Sequence, residues 1–346
     1  MNPYAKLITL TSLALGTTIT ITSNHWAMAW AGLEINTIAI IPMISKSHHP
    51  RAIEAAIKYF LVQAAASASI LFSSMINAWT SGQWDITQLT NTTSCLLLTT
   101  AIAMKLGLTP FHFWFPEVLQ GSSLTTALLL STVMKFPPIT ILLLTSNSLN
   151  PPLLTLMAIM STALGGWMGL NQTQIRKILA FSSISHLGWM TIIIIYSPKL
   201  TLLTFLLYTL LTSTIFLSLN ASNTTKLSTL MSSWTKAPML NSTLMLTLLS
   251  LAGLPPFIGF LPKWLIIQEL TKQEMTPTAL TIALLSLLSL FFYLRLTYFA
   301  SITLPPNSIN QTKHWYINKN TSTLIAILTS LSTLSLPLSP LISPSI

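Results

Sequence analysis

The sequence predicts an all-α protein that crosses a membrane many times, with about eleven transmembrane helices. Only 6% of its 346 residues are charged and 51% are hydrophobic, whereas about 25% of the residues of a soluble domain are charged. Apolar runs of about twenty residues, the length that a helix needs to cross a bilayer, recur from one end to the other. We expect one membrane domain over residues 1–346, because no polar linker is long enough to divide the chain.

The apolar runs define the predicted membrane segments. They are residues 3–22, 25–44, 55–78, 94–116, 122–146, 151–171, 177–196, 200–220, 239–271, 276–301 and 321–341. The leading helix, within residues 1–22, has no developed basic region and no small-residue cleavage site, so we expect a retained helix and not a signal peptide. The last segment is a C-terminal helix.

The fourth and ninth segments share a motif that breaks helices. Residues 107–117 read GLTPFHFWFPE and residues 253–263 read GLPPFIGFLPK, and the two align without a gap. Glycine and proline inside hydrocarbon leave backbone groups unpaired, which is tolerated where the break lines a polar cavity. Interrupted segments at corresponding places in two halves of a chain are typical of an ion path.

The charges in the loops predict the topology. When alternate loops are assigned to opposite sides, most loop cations fall on one side, and the other side keeps little beyond Lys199 and Lys272. The cations on the basic side are Lys46, Arg51, Lys58, Arg176, Lys177, Lys226, Lys236, Lys313 and Lys319. This asymmetry follows the positive-inside rule and places the N-terminus on the basic side and the C-terminus on the other. The two broken segments then run in opposite directions, so the repeats over residues 1–146 and 151–301 are inverted. The net charge of +10 reflects this topology and not nucleic-acid binding.

Four ionisable residues lie at unusual depth. Glu34, Lys105 and Lys135 are near the middle of apolar segments, and Lys263 follows the second broken motif. Lys105 lies roughly 16 Å into its segment at 1.5 Å per residue, close to the midplane of the bilayer. A charge there costs at least about 2.5–3.5 kcal/mol, which indicates a function. Two structural alternatives stay open, namely snorkelling to the interface and an ion pair with Glu34 that locks two helices.

The depth and chemistry of these residues favour a proton path. Loss of water favours the neutral form of a lysine, and a nearby carboxylate favours its charged form. A Glu34–Lys105 pair would hold Lys105 protonated and release its proton when the pair opened. Lys135 could then link the two broken helices. His112 and His186 are further candidates for the relay, and a hydrogen bond to a neighbouring helix explains each of them equally well.

Cofactor chemistry is not expected in this chain. The single Cys95 excludes an internal disulfide, and it excludes a cysteine-held zinc or iron–sulfur site supplied by this chain alone. The glycines of residues 165–169 lie in an apolar helix, where they fit close helix packing better than phosphate binding.

Three motifs carry a family resemblance. Residues 105–118 (KLGLTPFHFWFPEV) resemble the first signature of the antiporter-like subunits of respiratory complex I. Residues 176–189 (RKILAFSSISHLGW) resemble the second signature, and residues 253–260 (GLPPFIGF) resemble the third. The resemblance covers essentially the whole chain and is strongest to the animal mitochondrial members, which lack N-terminal helices of the larger bacterial relatives.

The resemblance implies an antiporter-like fold with two inverted five-helix repeats, each with a broken helix. Glu34 corresponds to the family's essential glutamate and Lys105 to its broken-helix lysine. Lys135 corresponds to the linking lysine and Lys263 to the second broken-helix lysine. The implied activity is proton translocation in the membrane arm of NADH:ubiquinone oxidoreductase.

The same resemblance implies the setting of the chain. NADH, FMN, the iron–sulfur clusters and ubiquinone would be bound by other subunits of the complex. The partners would be other membrane-arm subunits, including other antiporter-like ones, and anionic lipid such as cardiolipin. The chain would lie in the mitochondrial inner membrane with its basic side facing the matrix. Two rival functions remain open at this point, a stand-alone cation/proton antiporter and a structural membrane subunit.

Overall fold

A computed structural model of the chain describes residues 2–47, 49–235, 237–302 and 323–338. Within these ranges the secondary structure is helical, and the only β-type pairing consists of two isolated bridges. The α-helices in chain order are α1 (Pro3–Thr22), α2 (Trp26–Ile44), α3 (Pro50–Ser81), α4 (Thr92–Leu106), α5 (Trp114–Gly121), α6 (Leu124–Ser131), α7 (Phe136–Leu144), α8 (Pro151–Gly169), α9 (Ile175–Ile193), α10 (Pro198–Ser222), α11 (Leu227–Met231), α12 (Pro238–Ala252), α13 (Phe260–Lys272), α14 (Thr276–Ile302) and α15 (Thr323–Leu334).

Each predicted membrane segment overlaps one of these helices or two consecutive ones. Seven helical stretches in the described ranges are long and apolar enough to cross a membrane, and α4, α12 and α15 are shorter apolar helices. The prediction of an all-α polytopic membrane protein is therefore confirmed. Part of the last predicted segment, residues 321–322 and 339–341, lies outside the described residues, as do Lys236, Lys313 and Lys319 of the predicted basic side.

Local sequence sets the ends of the helices around the site. His49 caps the start of α3, where its Nδ1 accepts from the backbone N–H of Arg51 at 3.3 Å. Asn91 caps α4 in the same way, and its Oδ1 accepts from the Thr93 N–H at 3.1 Å. Both side chains satisfy N–H groups that have no partner within the helix.

Serine and threonine fit the apolar helices because their hydroxyls bond within the same helix. Thr99 donates to the Leu96 carbonyl at 2.8 Å, Ser182 donates to the Leu179 carbonyl at 2.8 Å, and the same pattern recurs along the chain. A hydroxyl that is satisfied inside its own helix does not need a partner in the hydrocarbon. The abundance of threonine is therefore compatible with membrane burial.

The chain divides into two compact units. The first comprises Met1–Ser161 with Met190–Pro198, and the second comprises Thr162–Trp189 with Lys199–Ile346. The first unit contains the break between α4 and α5, and the second contains the break between α12 and α13.

Within the first unit, α1 and α2 cross at two glycines. A Cβ added to Gly16 would lie 2.9 Å from the Gly32 carbonyl oxygen, and a Cβ added to Gly32 would lie 2.9 Å from the Gly16 carbonyl oxygen. Small residues at a crossing let two helix backbones approach closely. Helix α3 packs against α2, α4 and α5, and α7 packs against α1 and α4.

Within the second unit, α12 packs against α14 and α15, and α13 packs against α14. Residues of α8 and α9 approach closely at Gly165, where an added Cβ would lie 2.9 Å from the Phe181 carbonyl oxygen. This close contact supports the expectation that the glycines of residues 165–169 serve helix packing.

Candidate functional site

The break after α4 begins at Gly107, whose φ of 74° places it in the left-handed region that favours glycine. The backbone N–H groups of Gly107 and Leu108 both donate to the Ala103 carbonyl at 2.9 Å. This arrangement ends the helix and satisfies the first of its otherwise unpaired carbonyls.

Side chains satisfy the next two carbonyls of α4. The indole Nε1 of Trp114, the first residue of α5, donates to the Met104 carbonyl at 3.1 Å. The amide Nε2 of Gln63, on α3, donates to the Lys105 carbonyl at 3.4 Å. An unpaired carbonyl in hydrocarbon is costly, so these two donors stabilise the break. Neither residue was predicted from the sequence, although a tryptophan just after a helix break is a recognisable signal.

Lys105 lies in the last turn of α4 with 6% of its surface exposed. Its Nζ is buried and makes no hydrogen bond to any described residue. Glu34, half-buried on α2, accepts instead from the Thr37 hydroxyl through Oε2 at 3.0 Å. Among the described residues no ion pair within 4.0 Å joins Glu34 to Lys105. The predicted pair is open in this structure.

Lys135 lies at a third interruption, which the sequence-based prediction of two broken segments overlooked. Helix α6 ends at Ser131, a 3₁₀ turn covers Val133–Lys135, and α7 follows with Pro137 and Pro138 in its first turn. Proline lacks the N–H that would continue the ladder of the preceding helix, and this pair was the available signal. Lys135 is 2% exposed, and its Nζ lies 4.9 Å from the centroid of the Phe115 ring.

The structure brings Lys105 and Lys135 to one cavity of about 20 Å³ in the first unit. The other polar residues of its wall are Asn36, Thr37, Tyr59 and Gln63. Glu34 is not part of the wall, but it is connected to the wall through its hydrogen bond with Thr37. A space of this size that is bordered by polar groups can hold about one water molecule.

The break after α12 is capped by Lys263. Helix α12 ends at Ala252, and Gly253 follows with φ 82°. The Nζ of Lys263 donates to the Ala252 carbonyl at 2.9 Å and lies 6.0 Å from the centroid of the Trp189 ring. A cation at a helix C-terminus satisfies a carbonyl and interacts favourably with the helix dipole. Lys263 follows its break whereas Lys105 precedes its own, so the two lysines hold different positions relative to the breaks.

The two candidate histidines do not line the cavity. His112 is 1% exposed within the break between α4 and α5, where its ring lies 4.2 Å from that of Phe113. His186, on α9 in the second unit, is half-buried with its ring 5.7 Å from that of Tyr208. Their roles in a relay stay predictions.

Three contacts of charged side chains were not predicted from the sequence. Arg295, in an apolar stretch of α14, donates through Nη1 to the Leu170 carbonyl just after α8. Lys58 on α3 pairs with Glu117 on α5 at 2.6 Å and with Glu54 at 2.5 Å. Arg295 was recognisable as a lone arginine in an apolar run, whereas the Lys58 pairs depend on the fold. No group of three metal-ligating side chains occurs in the parts of the chain that the structure describes.

Helices that break at membrane depth beside buried lysines and a polar cavity define a membrane protein of the ion-translocating, antiporter-like class. The family described as NADH:quinone oxidoreductase/Mrp antiporter, transmembrane region, matches residues 23–293, and the family of NADH dehydrogenase subunit 2 C-termini matches residues 290–343.

Known proteins agree with this class. NADH-ubiquinone oxidoreductase chain 2 of Struthio camelus is 76% identical over 342 residues, with 99% of each chain covered. The protein of the same name from Coturnix japonica is 74% identical over 343 residues, again with 99% of each chain covered. A chain in the structure of respiratory complex I from Thermus thermophilus has a TM-score of 0.83 and 25% identity, over 97% of this chain and 80% of that one. This chain belongs to the NADH-ubiquinone oxidoreductase chain 2 family, whose members are antiporter-like subunits of complex I.

Proposed function

We propose that this chain translocates protons in the membrane arm of NADH:ubiquinone oxidoreductase, and that Lys105 and Lys135 exchange a proton across their shared cavity. The observation that carries the proposal is the placement of two buried lysines on one polar cavity beside a broken helix. Buried intramembrane amines mark ion and proton paths, because their insertion is costly unless they are used.

The surroundings of the two lysines stabilise a positive charge in different ways. The Nζ of Lys105 has no hydrogen-bond partner among the described residues, so only the electrostatic attraction of the Glu34 carboxylate offsets the loss of water there. The Nζ of Lys135 lies over the Phe115 ring, whose negative face favours a cation. The distribution of the proton between the two lysines therefore depends on the distance between the Glu34 carboxylate and Lys105.

Glu34 supplies the control in this scheme. Rotation of its carboxylate away from Thr37 and toward Lys105 would favour the charged form of Lys105 and reload it with a proton. Reopening of the pair would return the proton to the cavity. The energy for the rotation would come from neighbouring subunits, and NADH oxidation and ubiquinone reduction would take place in other subunits of the complex.

Lys263 would form the distal exchange site of the path, and His112 and His186 would be its auxiliary members. The hydrogen bond from Lys263 to the Ala252 carbonyl supports a structural role as well, since the lysine caps its broken helix. That bond is the specific observation in favour of the rival function, a structural subunit whose buried charges hold helices in place.

The location follows from the family and the loop charges. The chain would be a multi-pass protein of the mitochondrial inner membrane, with its N-terminus in the matrix and its C-terminus in the intermembrane space. Its inverted repeats would cover residues 1–146 and 151–301. Other membrane-arm subunits would flank it, and the cations of the basic side would contact anionic lipid such as cardiolipin.

The test replaces Lys135 by methionine in the assembled complex. Methionine fills similar space but cannot carry a proton, so we expect fewer protons delivered per NADH oxidised, or slower coupled NADH oxidation. Lys272→Met is the matched control, because the side chain of this lysine is 71% exposed and forms an exposed pair with Glu269 at 3.2 Å. Normal assembly together with normal pumping in Lys135→Met would refute the proposed path.

A further inference from the structure

Asn36 is a buried amide without a hydrogen-bond partner among the described residues. It lies on α2 with 1% of its surface exposed, and neither its Oδ1 nor its Nδ2 forms a hydrogen bond with any described residue. Buried side-chain amides are nearly always paired, because an unpaired polar group costs the full penalty of losing water. An exception of this kind calls for an explanation.

Asn77 shows how the same chain satisfies a structural asparagine. It is 0% exposed, its Nδ2 donates to the Gln88 carbonyl at 2.9 Å, and its Oδ1 accepts from the Thr90 N–H at 3.3 Å. Both ends of that amide therefore hydrogen-bond to the loop between α3 and α4 and hold it against α3. Asn36 forms no such hydrogen bond to any described group, so anchoring of a loop does not explain why an asparagine is buried at this position.

Asn36 instead lines the cavity that Lys105 and Lys135 share. An amide carries an acceptor oxygen and an NH₂ donor in one rigid plane, so it can orient water either as a hydrogen-bond donor or as an acceptor. The Nζ of Lys105, on the wall of the same cavity, is likewise buried and forms no hydrogen bond within the part of the chain that the structure describes. Unpaired buried groups around one polar space are satisfied most readily by ordered water.

The crossing of α1 and α2 holds Asn36 in place. A Cβ added to Gly16 would lie 2.8 Å from the Asn36 Cγ, so the amide packs directly on the α1 backbone. This contact limits the rotamers of the side chain and fixes its plane. A polar group that is fixed before a reaction does not have to reorganise during it.

We propose that Asn36 is a positioning residue that holds the water through which Lys105 and Lys135 exchange a proton. This inference rests on the proposed function. In the exchange, an N–H bond of the Lys105 ammonium breaks while the water oxygen gains that proton, and the water passes another of its protons to the lone pair of neutral Lys135. Asn36 takes no proton itself, and its amide keeps the water oriented in both directions.

The experiment compares Asn36→Leu with Asn36→Ser in the assembled complex in inner-membrane vesicles. Leucine matches asparagine in size and breaks no protein hydrogen bond, so assembly stays normal, while we expect coupled proton delivery to fall about tenfold, the value of one lost hydrogen bond. Serine keeps a donor and an acceptor, so delivery stays within about threefold of the parent. The ratio of rates in H₂O and D₂O rises in the leucine variant, because proton transfer then limits turnover.

The controls separate this inference from the proposed function. Asn77→Leu breaks two protein hydrogen bonds and lowers the amount of assembled complex, which the Asn36 variants do not. If Asn36→Leu does not assemble, Asn36→Ala replaces it, and alanine must lose delivery where serine keeps it. Normal delivery and an unchanged isotope ratio in the apolar variant would overturn the role of Asn36. If proton delivery is normal in the Asn36 variant but lost in Lys135→Met, the proposed path stands without a role for Asn36. If proton delivery is normal in both variants, the proposed path itself is refuted.

Discussion

Replacement of Lys263 separates its capping of α12 from any transfer of protons. In Lys263→Met the Ala252 carbonyl loses a charge-assisted hydrogen bond of 2.9 Å and stays buried. A hydrogen bond to a charged group contributes about 1.5–3 kcal/mol to stability. The cost of leaving the carbonyl buried and unpaired is another description of the same loss, so the two values are not added. We take about 2 kcal/mol, which corresponds to an increase of about thirtyfold in local opening of the helix end.

Hydrogen exchange reads this opening directly. The N–H groups of Gly253 and Leu254 close the end of α12 through bonds of 3.0 Å to Ser250 and 3.5 Å to Leu249. We expect their exchange in Lys263→Met to accelerate about thirtyfold if local opening controls it. Unchanged exchange would refute the reasoning, since it would show that the Ala252 carbonyl does not depend on this lysine.

Arginine at the same position supplies the matched variant. Its guanidinium donates hydrogen bonds but stays charged, so Lys263→Arg keeps the cap and cannot release a proton. We expect near-normal exchange at Gly253 together with a loss of coupled proton delivery. Normal proton delivery in Lys263→Arg would instead identify Lys263 as a helix cap and remove it from the proposed path.

Two further perturbations test the breaks themselves. Trp114→Phe removes the donor to the Met104 carbonyl and should lower the local stability by about 1–3 kcal/mol. We expect faster hydrogen exchange at the end of α4, and unchanged exchange would contradict the prediction. Gly253→Ala should reduce assembly of the complex more than Gly82→Ala does. Both glycines have a positive φ, but of these two only Gly253 has a close neighbour, the Lys263 Nζ, at 3.0 Å from an added Cβ. Equal amounts of assembled complex on native gels would contradict this.

The overall class could be predicted from the sequence because composition and segment length depend on the bilayer alone. The positions of both predicted breaks followed from glycine and proline, whose backbone effects are local. The third interruption at Lys135 was overlooked, since an apolar run of normal length masked the effect of Pro137. Periodicity does not distinguish a straight helix from one that contains a 3₁₀ turn.

The site was predictable only in part, for a different physical reason. Lys105 and Lys135 were recognisable because charge in an apolar run is rare. Their shared cavity was not, because it depends on which helices become neighbours. Asn36 and Gln63 carry no charge, so nothing in the sequence distinguishes them from the many polar residues of this chain. Trp114 is recognisable as a tryptophan just after a helix break, but its hydrogen bond to the Met104 carbonyl depends on how the two helices pack and could not be predicted.

The internal bonding of the hydroxyls has a consequence for natural sequence variation. Thr9 and Thr17 bond only to carbonyls of their own helix, at 2.9 and 2.8 Å, so exchange for alanine there breaks no tie to another element. We expect substitution at these two positions to be tolerated, because no contact with another helix depends on the hydroxyl. Thr37 differs, because its hydroxyl also holds the Glu34 carboxylate at 3.0 Å. Threonine-to-alanine substitution at Thr9 or Thr17 on α1 therefore leaves the site unchanged, whereas the same substitution at Thr37 on α2 removes a hydrogen bond to Glu34. The effect of such a substitution depends on what the hydroxyl contacts and not on the residue type alone.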